Sequence, residues 1–321
     1  MKTYVCFMLA LVSFVLVGAT LVTDEPLDKM TLGKRLFFDP ILSRNRTISC
    51  ATCHREDYAF ADTSALSLGV FGRKGKRNTP SAMNVRLQAN FFWDGRATTL
   101  EEQALIPIAN PDEMDLPIDL AIKRLNGSKT YRAYFMKVFG ELPTKANLAR
   151  ALSEFEQTLE TADSPLDDWR LNDNEAAVSE SAKRGFALFN GKANCVQCHF
   201  GADFNSSEFR NIGLFNGKTL ADSGRAAITK KAADLGKFKI GPLRNVSLTA
   251  PYMHNGMFKT LAEVIDHYNE PDKRVPDAIN RDPLLAKPLG LTQQEKLDLE
   301  EFLRSLTDKR FLVKAAVAKK S

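Results

Sequence analysis

Histidine, cysteine and tryptophan are scarce in this chain, which has four, five and two of them among 321 residues. Long apolar runs are missing after residue 23, so no later segment is long enough to span a bilayer. Blocks of like charge are missing too, because 44 Lys and Arg residues are spread among 39 acidic residues. Nucleic-acid binding therefore gains little support. The remaining composition, 44% hydrophobic, is that of a globular protein with room for about two domains.

The one long apolar segment lies at the N-terminus, in MKTYVCFMLALVSFVLVGATLVT. Lys2 precedes the apolar run and small residues follow it, which is typical of a secretory signal peptide. We assign residues 1–20 to this signal peptide, expect cleavage after Ala19, and predict a periplasmic protein. An uncleaved membrane anchor is the alternative, because the run is near the lower length limit for a spanning helix. Cys6 would leave with the signal peptide, so four cysteines remain.

These four cysteines form two identical patterns, CATCH at 50–54 and CVQCH at 195–199. Two thiols three residues apart can add to both vinyl groups of one haem, and the next imidazole can then ligate its iron. A zinc site, a thioredoxin-like redox pair and two short disulfides are the alternatives. None of them requires histidine directly after the second cysteine, twice. We therefore predict two covalent c-type haems, held by Cys50, Cys53 and His54 and by Cys195, Cys198 and His199.

Motif spacing and apolar periodicity predict a mainly α protein made of two cytochrome c-like helical domains. The first cysteines of the two motifs are 145 positions apart, which leaves each haem room for a domain. Apolar residues from Leu148 to Leu159 follow a helical stripe, and the segment ADSPLDDW interrupts it. We place the boundary near Pro165, giving domains at 21–165 and 166–321. GKRLFFD before the first motif and AKRGFALFN before the second indicate duplication.

A second helix is predicted near the C-terminus. Thr292 and Glu295 form a capping-box pattern at its start. Its apolar stripe consists of Leu299, Phe302, Leu303 and Leu306. We expect this helix to cover the second haem.

Longer motifs extend the pattern beyond haem attachment. They are LGKRLFFDP, SCATCH, GRKGKRNTPS, FFWDGRATTLEEQALIPIANPDEM, LRNVSLTAPYMHNG and TLAEVIDHYN. In this order they resemble the bacterial dihaem cytochrome c peroxidases and their relatives of the MauG type, over residues 30–306. The resemblance implies that peroxide reacts at the N-terminal haem, with His54 as proximal ligand. It also implies that the C-terminal haem, ligated by His199, stores or relays an electron.

The resemblance assigns roles to three residues around the N-terminal haem. Glu113 in NPDEM matches a glutamate beside the open face of the peroxidatic iron, where a carboxylate can move a proton between the peroxide oxygens. Its local sequence alone favours an exposed loop acid. Gln103 in EEQA matches a polar neighbour that helps hold peroxide or water. Trp93 in FFWDGR matches the tryptophan between the haems, although a packed core aromatic is the simpler interpretation.

Two axial positions depart from the pattern of many dihaem peroxidases. The resemblance puts a distal histidine eight residues before Asn78, but Val70 stands there. We therefore predict a five-coordinate or water-bound N-terminal haem that reacts without prior reduction. Many peroxidases have methionine at the ninth position of the segment beginning TL, where this chain has Tyr268, as the MauG-type branch does. Tyrosine is a known haem ligand, so Tyr268 is the predicted ligand of the C-terminal haem, with His267, Met253 and Met257 as rivals.

The resemblance also implies a calcium site and several partners. Asn78, Thr249 and Pro251 match the interdomain calcium site of the family, although none of the three is acidic. The implied partners are hydrogen peroxide and a small electron-donor protein such as a cytochrome c or a cupredoxin. A protein substrate is implied for the MauG-type branch, and a homodimer is a further expectation.

Three functions fit these features: a peroxide-reducing enzyme fed by a small redox protein, a MauG-like enzyme oxidising a protein side chain, and a non-enzymatic dihaem electron carrier. A carrier has both irons six-coordinate, whereas an enzyme needs one exchangeable position. The breadth of the family favours peroxide reduction, with MauG-like oxidation second.

Overall fold

The computed structural model describes residues 27–161 and 163–312. The predicted signal peptide, residues 1–20, lies outside the described residues. Within the described part of the chain, no helix is long and apolar enough to cross a membrane. The fold is mainly helical, with a single two-stranded antiparallel sheet among the described residues, so the predicted fold class is confirmed.

The described helices and strands follow one another in a simple order. The N-terminal half contains α1 (Lys29–Phe38), α2 (Cys50–Cys53), α3 (Leu100–Ala109), α4 (Ile118–Gly127), α5 (Lys129–Phe139) and α6 (Lys145–Glu156). The C-terminal half contains α7 (Pro165–Leu171), α8 (Glu180–Asn190), β1 (Phe209–Arg210), α9 (Ala226–Thr229), β2 (Phe238–Lys239), α10 (Leu261–Asn269), α11 (Pro271–Arg274) and α12 (Gln293–Ser305). Turns and short 3-10 helices fill the long segments between them.

Helix starts follow the capping chemistry of the sequence. The predicted capping box of α12 is confirmed, because Thr292 Oγ1 accepts from Glu295 N at 3.2 Å and Glu295 Oε2 accepts from Thr292 N at 2.7 Å. The predicted stripe to Leu159 is wrong in length, since α6 ends at Glu156. The Thr158 hydroxyl donates to the Phe155 carbonyl at 2.7 Å and closes the helix there, yet Leu159 stays buried in the core.

The two largest apolar clusters of the described residues draw mainly on the N-terminal and the C-terminal half of the chain. The first is built around Leu36, Phe37 and Phe135, and the second around Phe189 and Phe302. Phe311, from the C-terminal end of the described chain, packs in the first core. The proposed domain limits of 21–165 and 166–321 stay a prediction.

Each core is crossed by a helix pair in close contact. A Cβ on Gly33 of α1 would lie 2.9 Å from the Cβ of Phe155 on α6, and closer still to a backbone carbonyl. A Cβ on Gly185 of α8 would lie 2.7 Å from the Cβ of Phe302 on α12. Only glycine permits either crossing. Because Phe155 and Phe302 make the equivalent contact with a glycine, α6 and α12 are structural counterparts. Phe302 follows Phe155 by 147 positions.

A second pair of contacts gives the same correspondence. Asn84 N donates to Leu159 O at 2.6 Å, and Asn245 N donates to Leu306 O at 3.1 Å. Both asparagines adopt the left-handed conformation, with φ of 56° and 62°. Leu306 follows Leu159 by 147 positions, as Phe302 follows Phe155. The halves are therefore repeats in structure, which agrees with the duplication expected from the sequence.

The segments that run from these asparagines to α3 and to α10 also correspond. Asn245 follows Asn84 by 161 positions, and the same offset relates Thr99 and Thr260, the N-caps of α3 and α10. With this offset, Pro107 on α3 is the counterpart of Tyr268 on α10. The two halves thus place different chemistry at one structural position.

Candidate functional site

Both Cys-x-x-Cys-His motifs open into one cavity of about 1020 Å³. Its wall includes all six motif residues that were predicted to hold haem: Cys50, Cys53, His54, Cys195, Cys198 and His199. The volume is at the upper end of the range for small-molecule sites, about 300–1,000 Å³. A cavity of this size suits large planar cofactors.

The two motif histidines are arranged as metal ligands. His54 Nδ1 lies 2.9 Å from the Phe60 carbonyl oxygen, and His199 Nδ1 lies 3.1 Å from that of Phe204. Because a carbonyl only accepts, Nδ1 carries the proton and Nε2 keeps its lone pair. Burial lowers the pKa of both imidazoles, that of His199 to about 4. Both rings are therefore neutral at physiological pH, which is the state that binds iron.

The motif cysteines are free thiols with no disulfide among the described residues. Burial raises the pKa of all four, to about 11 for Cys53 and to about 12 for Cys195. The described residues also contain no cluster of three or more His, Cys, Asp or Glu side chains that could hold a metal ion. Two thiols and one neutral imidazole fit a haem better than they fit zinc.

Glu113 lies in the cavity wall, not on an exposed loop. Its Oε1 accepts from Asn110 Nδ2 at 2.7 Å, and burial raises the pKa of the carboxyl. The backbone beside it is braced, because Val70 N donates to the Glu113 carbonyl at 2.7 Å. Gln103, from the first turns of α3, lines the same cavity. The structure thus brings together the two polar residues predicted for the N-terminal haem.

The segment before Asn78 brings no histidine to the cavity. Val70 is fully buried, and Gly69 stands in the cavity wall instead. Pro107 lines the cavity at the position equivalent to Tyr268. Sequence reasoning missed Pro107, although the repeat from Thr99 to Thr260 could have identified it. Neither proline nor valine can ligate iron.

Tyr268 lies in the cavity wall, and burial, with the nearby thiols of Cys195 and Cys198, raises the pKa of its phenol. His267, its rival, is turned away from the cavity. The His267 Nε2 lies 2.9 Å from the Ile212 carbonyl, and its ring packs 5.2 Å from that of Phe258. Adjacent helical residues diverge by about 100°, which accounts for the two directions. Of the two methionine rivals, Met253 lines the cavity.

An aromatic group joins the halves beside the cavity. Trp93 Nε1 donates to the Asn78 carbonyl at 2.8 Å, and the Trp93 carbonyl accepts from Lys239 N at 2.8 Å. The His254 ring stacks on Phe238 with centroids 3.6 Å apart and meets the Trp93 indole edge-on at 6.5 Å. Sequence reasoning predicted Trp93 but missed His254.

Lys239 in the wall suits a carboxylate of a haem, whereas Arg77 already has two carboxylate partners. Arg77 pairs with Asp94 at 2.6 Å and with Asp222 at 2.7 Å. Lys239 donates to the Gln88 side chain but has no carboxylate partner among the described residues, and burial lowers its pKa to about 8. A buried ammonium without an anion is costly. A haem propionate would supply the missing charge.

The predicted calcium residues Asn78, Thr249 and Pro251 also lie in the cavity wall. Asn78 Nδ2 donates to the carbonyls of Ser64 and Ala65 at 3.2 and 3.3 Å. Amide and carbonyl oxygens suit Ca²⁺, but the set has no carboxylate. Calcium stays a prediction.

Comparison with known proteins gives the same class. The di-haem cytochrome c peroxidase family matches residues 27–176. The chain is 39% identical over 281 residues to methylamine utilization protein MauG of Methylorubrum extorquens, covering 87% of this chain and 78% of the relative. It is 38% identical over 248 residues to cytochrome c551 peroxidase of Nitrosomonas europaea, covering 76% and 74%. A crystal structure of a MauG-like protein associated with microbial copper homeostasis is similar with TM-score 0.80 and 32% identity, covering 88% of this chain and 90% of that one.

Fold, motifs and cavity therefore define a haem-binding oxidoreductase. The chain belongs to the di-haem cytochrome c peroxidase family, whose members include MauG. The predictions of this family and of an enzyme are confirmed. Haem is its implied cofactor.

Proposed function

We propose that this protein reduces hydrogen peroxide to water, with peroxide reacting at an N-terminal haem held by Cys50, Cys53 and His54. A small periplasmic redox protein supplies the electrons through a second haem held by Cys195, Cys198, His199 and Tyr268. Each peroxide takes up two electrons and two protons and leaves as two waters. The observation that supports the proposal is the asymmetry of the repeat: Pro107, which cannot ligate iron, lines the cavity at the position where the C-terminal half has Tyr268.

Iron supplies the site for peroxide and the capacity to store oxidising equivalents. The protein supplies proton transfer and positioning. Asn110 holds Oε1 of Glu113, so Oε2 is the atom free to take a proton from one peroxide oxygen and return it to the other. A raised pKa suits this exchange, because such a carboxyl gains and loses a proton more evenly near neutral pH. Gln103 orients the bound molecule by hydrogen bonding.

Electron transfer needs a short path between the two haems. Trp93 and His254 supply aromatic rings in the shared wall. The hydrogen bond from Lys239 N to the Trp93 carbonyl ties Trp93 to β2, whose Phe238 stacks on His254. Lys239 is the proposed partner of a haem propionate. Asn78, Thr249 and Pro251 remain the proposed calcium ligands.

Oxidation of a protein side chain is the second candidate. The observation that favours it is Tyr268, because tyrosine ligation stabilises the ferric state relative to methionine and so favours holding oxidising equivalents. A relative 39% identical to this chain is also named MauG. The two functions share the peroxide step and differ in what the oxidised enzyme then attacks.

A turnover assay with peroxide and a reduced small cytochrome c tests the proposal. Wild type should oxidise the cytochrome at two equivalents per peroxide. Glu113→Gln should keep both haems but lose about a hundredfold in turnover, the usual scale for general acid–base catalysis. Glu102→Gln, an exposed carboxylate on α3, is the matched control and should turn over like wild type. Survival of Glu113→Gln within about threefold of wild type would show that Glu113 is not the proton carrier.

A further inference from the structure

Glu156 is a buried acid in the cavity wall that the proposed chemistry does not use. It is the last residue of α6, and its side chain is 8% exposed. No described residue donates a hydrogen bond to its carboxyl or forms an ion pair with it. Burial without compensation is unfavourable for a carboxylate, so the residue is unusual in an otherwise apolar helix face.

The repeat shows how unusual this position is. Glu156 follows Phe155, and the counterpart of Phe155 is Phe302, so the counterpart of Glu156 is Leu303. Leu303 lines the cavity and packs against the second core. The C-terminal half thus uses an apolar side chain where the N-terminal half has a carboxyl. An apolar residue is therefore compatible with the fold at this position.

We propose that Glu156 is a second proton-holding acid of the N-terminal haem pocket, neutral while that haem is ferrous and ionised once it is ferric. The inference rests on the proposed N-terminal haem site and adds a residue to it. When the haem loses an electron, the Glu156 proton passes to water and the carboxylate balances the new positive charge. When the electron returns, the proton returns with it.

The electrostatics of the site support a neutral carboxyl when the haem carries no added positive charge. Burial and the field of Glu101 on α3 raise the pKa of Glu156 to about 8. The C-terminal end of α6 adds negative partial charge in the same direction. Cys50 on α2 is a further neighbour: Glu156 helps to raise the pKa of the free thiol, and Cys50 carries no charge once it is bonded to haem. Among the described residues, α1 and α4 also pack on α6 but bring no charge to Glu156.

The sign of the coupling follows from charge alone. Ferric haem carries one more positive charge than ferrous haem, so oxidation lowers the pKa of Glu156. Between the two pKa values the midpoint potential falls as pH rises. A variant whose side chain at position 156 cannot ionise should lack this contribution to the pH dependence of the potential.

The test is a redox titration of the N-terminal haem in the full-length holoprotein from about pH 6 to pH 10. Glu156→Gln keeps the shape, and Glu156→Leu reproduces the residue of the other half. Glu154→Gln on the same helix is the control, because Glu154 is half exposed and pairs with Arg150. Wild type and Glu154→Gln should show the fall in potential with pH. Both Glu156 variants should match wild type near pH 6 and lack most of the fall, so that their potentials stay above that of wild type at about pH 8 and higher.

Coincident curves for wild type and both Glu156 variants would overturn the inference, as would an equal offset at every pH. Peroxide turnover of wild type is measured alongside. Absence of that turnover contradicts the proposed function, whereas normal turnover with unchanged potentials contradicts the role of Glu156 alone.

Discussion

Gly69→Ala should disable peroxide turnover without disturbing the haems. The Gly69 backbone presses on the loop that carries Glu113, and a Cβ there would lie 2.7 Å from Glu113 Cα and closer still to the carbonyls of Asp112 and Glu113. Real Cβ atoms essentially never come closer than 3.0 Å to another heavy atom, and the Asp112 carbonyl oxygen would lie at 2.3 Å, so one segment must move by at least 0.7 Å, the difference of these distances. The φ of Gly69 is −84°, which alanine adopts freely, so the effect is steric alone.

This displacement has a defined energetic scale. A misplacement of about 1 Å costs about a hundredfold in rate, so we expect Gly69→Ala to lose between tenfold and a hundredfold in turnover. The bond from Val70 N to the Glu113 carbonyl should weaken as well. Gly75→Ala is the matched control, because its Cβ would meet nothing nearer than 3.6 Å in the same cavity wall.

The measurement is steady-state peroxide reduction at saturating reduced cytochrome c, with haem content determined from the pyridine haemochrome. Both variants should carry two haems per chain. The reasoning fails if Gly69→Ala turns over within about threefold of wild type while haem content is intact. It also fails if Gly75→Ala loses as much activity as Gly69→Ala.

Two further outcomes are expected. Tyr268→Phe should convert the C-terminal haem from six-coordinate to open or water-ligated, visible in its electronic and magnetic spectra, and unchanged spectra would exclude tyrosine ligation. Arg77→Gln should lower the free energy of unfolding in urea by about 1–3 kcal/mol, because Asp222 loses its cation and Asp94, 4% exposed, keeps only Arg96 at 3.1 Å. Arg150→Gln, which removes an exposed pair, should cost less than about 1 kcal/mol, and an equal loss in both variants would contradict the importance of the Arg77 pairs.

Much of the site could be predicted because its chemistry is local in sequence. The Cys-x-x-Cys-His motifs fix the thiols and the imidazole on a single turn, and the structure places both in one cavity. The choice of Tyr268 over His267 as a cavity residue followed from helical geometry, since neighbours on α10 point in different directions. Capping residues such as Thr292 were also readable, because a side chain three positions away completes the pattern.

Other residues could not be predicted, because their surroundings come from distant segments. Lys239 is buried and donates to the side chain of Gln88, which is 151 positions away. Its lack of a carboxylate partner among the described residues therefore cannot be predicted from the local sequence. Glu156 looks like an ordinary helix-terminal acid in sequence, and only its counterpart Leu303 shows that the position is apolar in the fold. In the sequence Pro107 is only a proline inside a helix, and its correspondence to Tyr268 is seen when α3 is compared with α10. These three residues required the repeat or the packing to be seen in three dimensions.

The central claim is that peroxide reacts at an N-terminal haem with one open axial position. Electron paramagnetic resonance of the fully oxidised protein as isolated, followed by rapid mixing with peroxide, tests it most directly. The account predicts a high-spin ferric signal for the N-terminal haem and reaction with peroxide without prior reduction. A low-spin, bis-histidine signal for that haem, with strict dependence on pre-reduction, would contradict it.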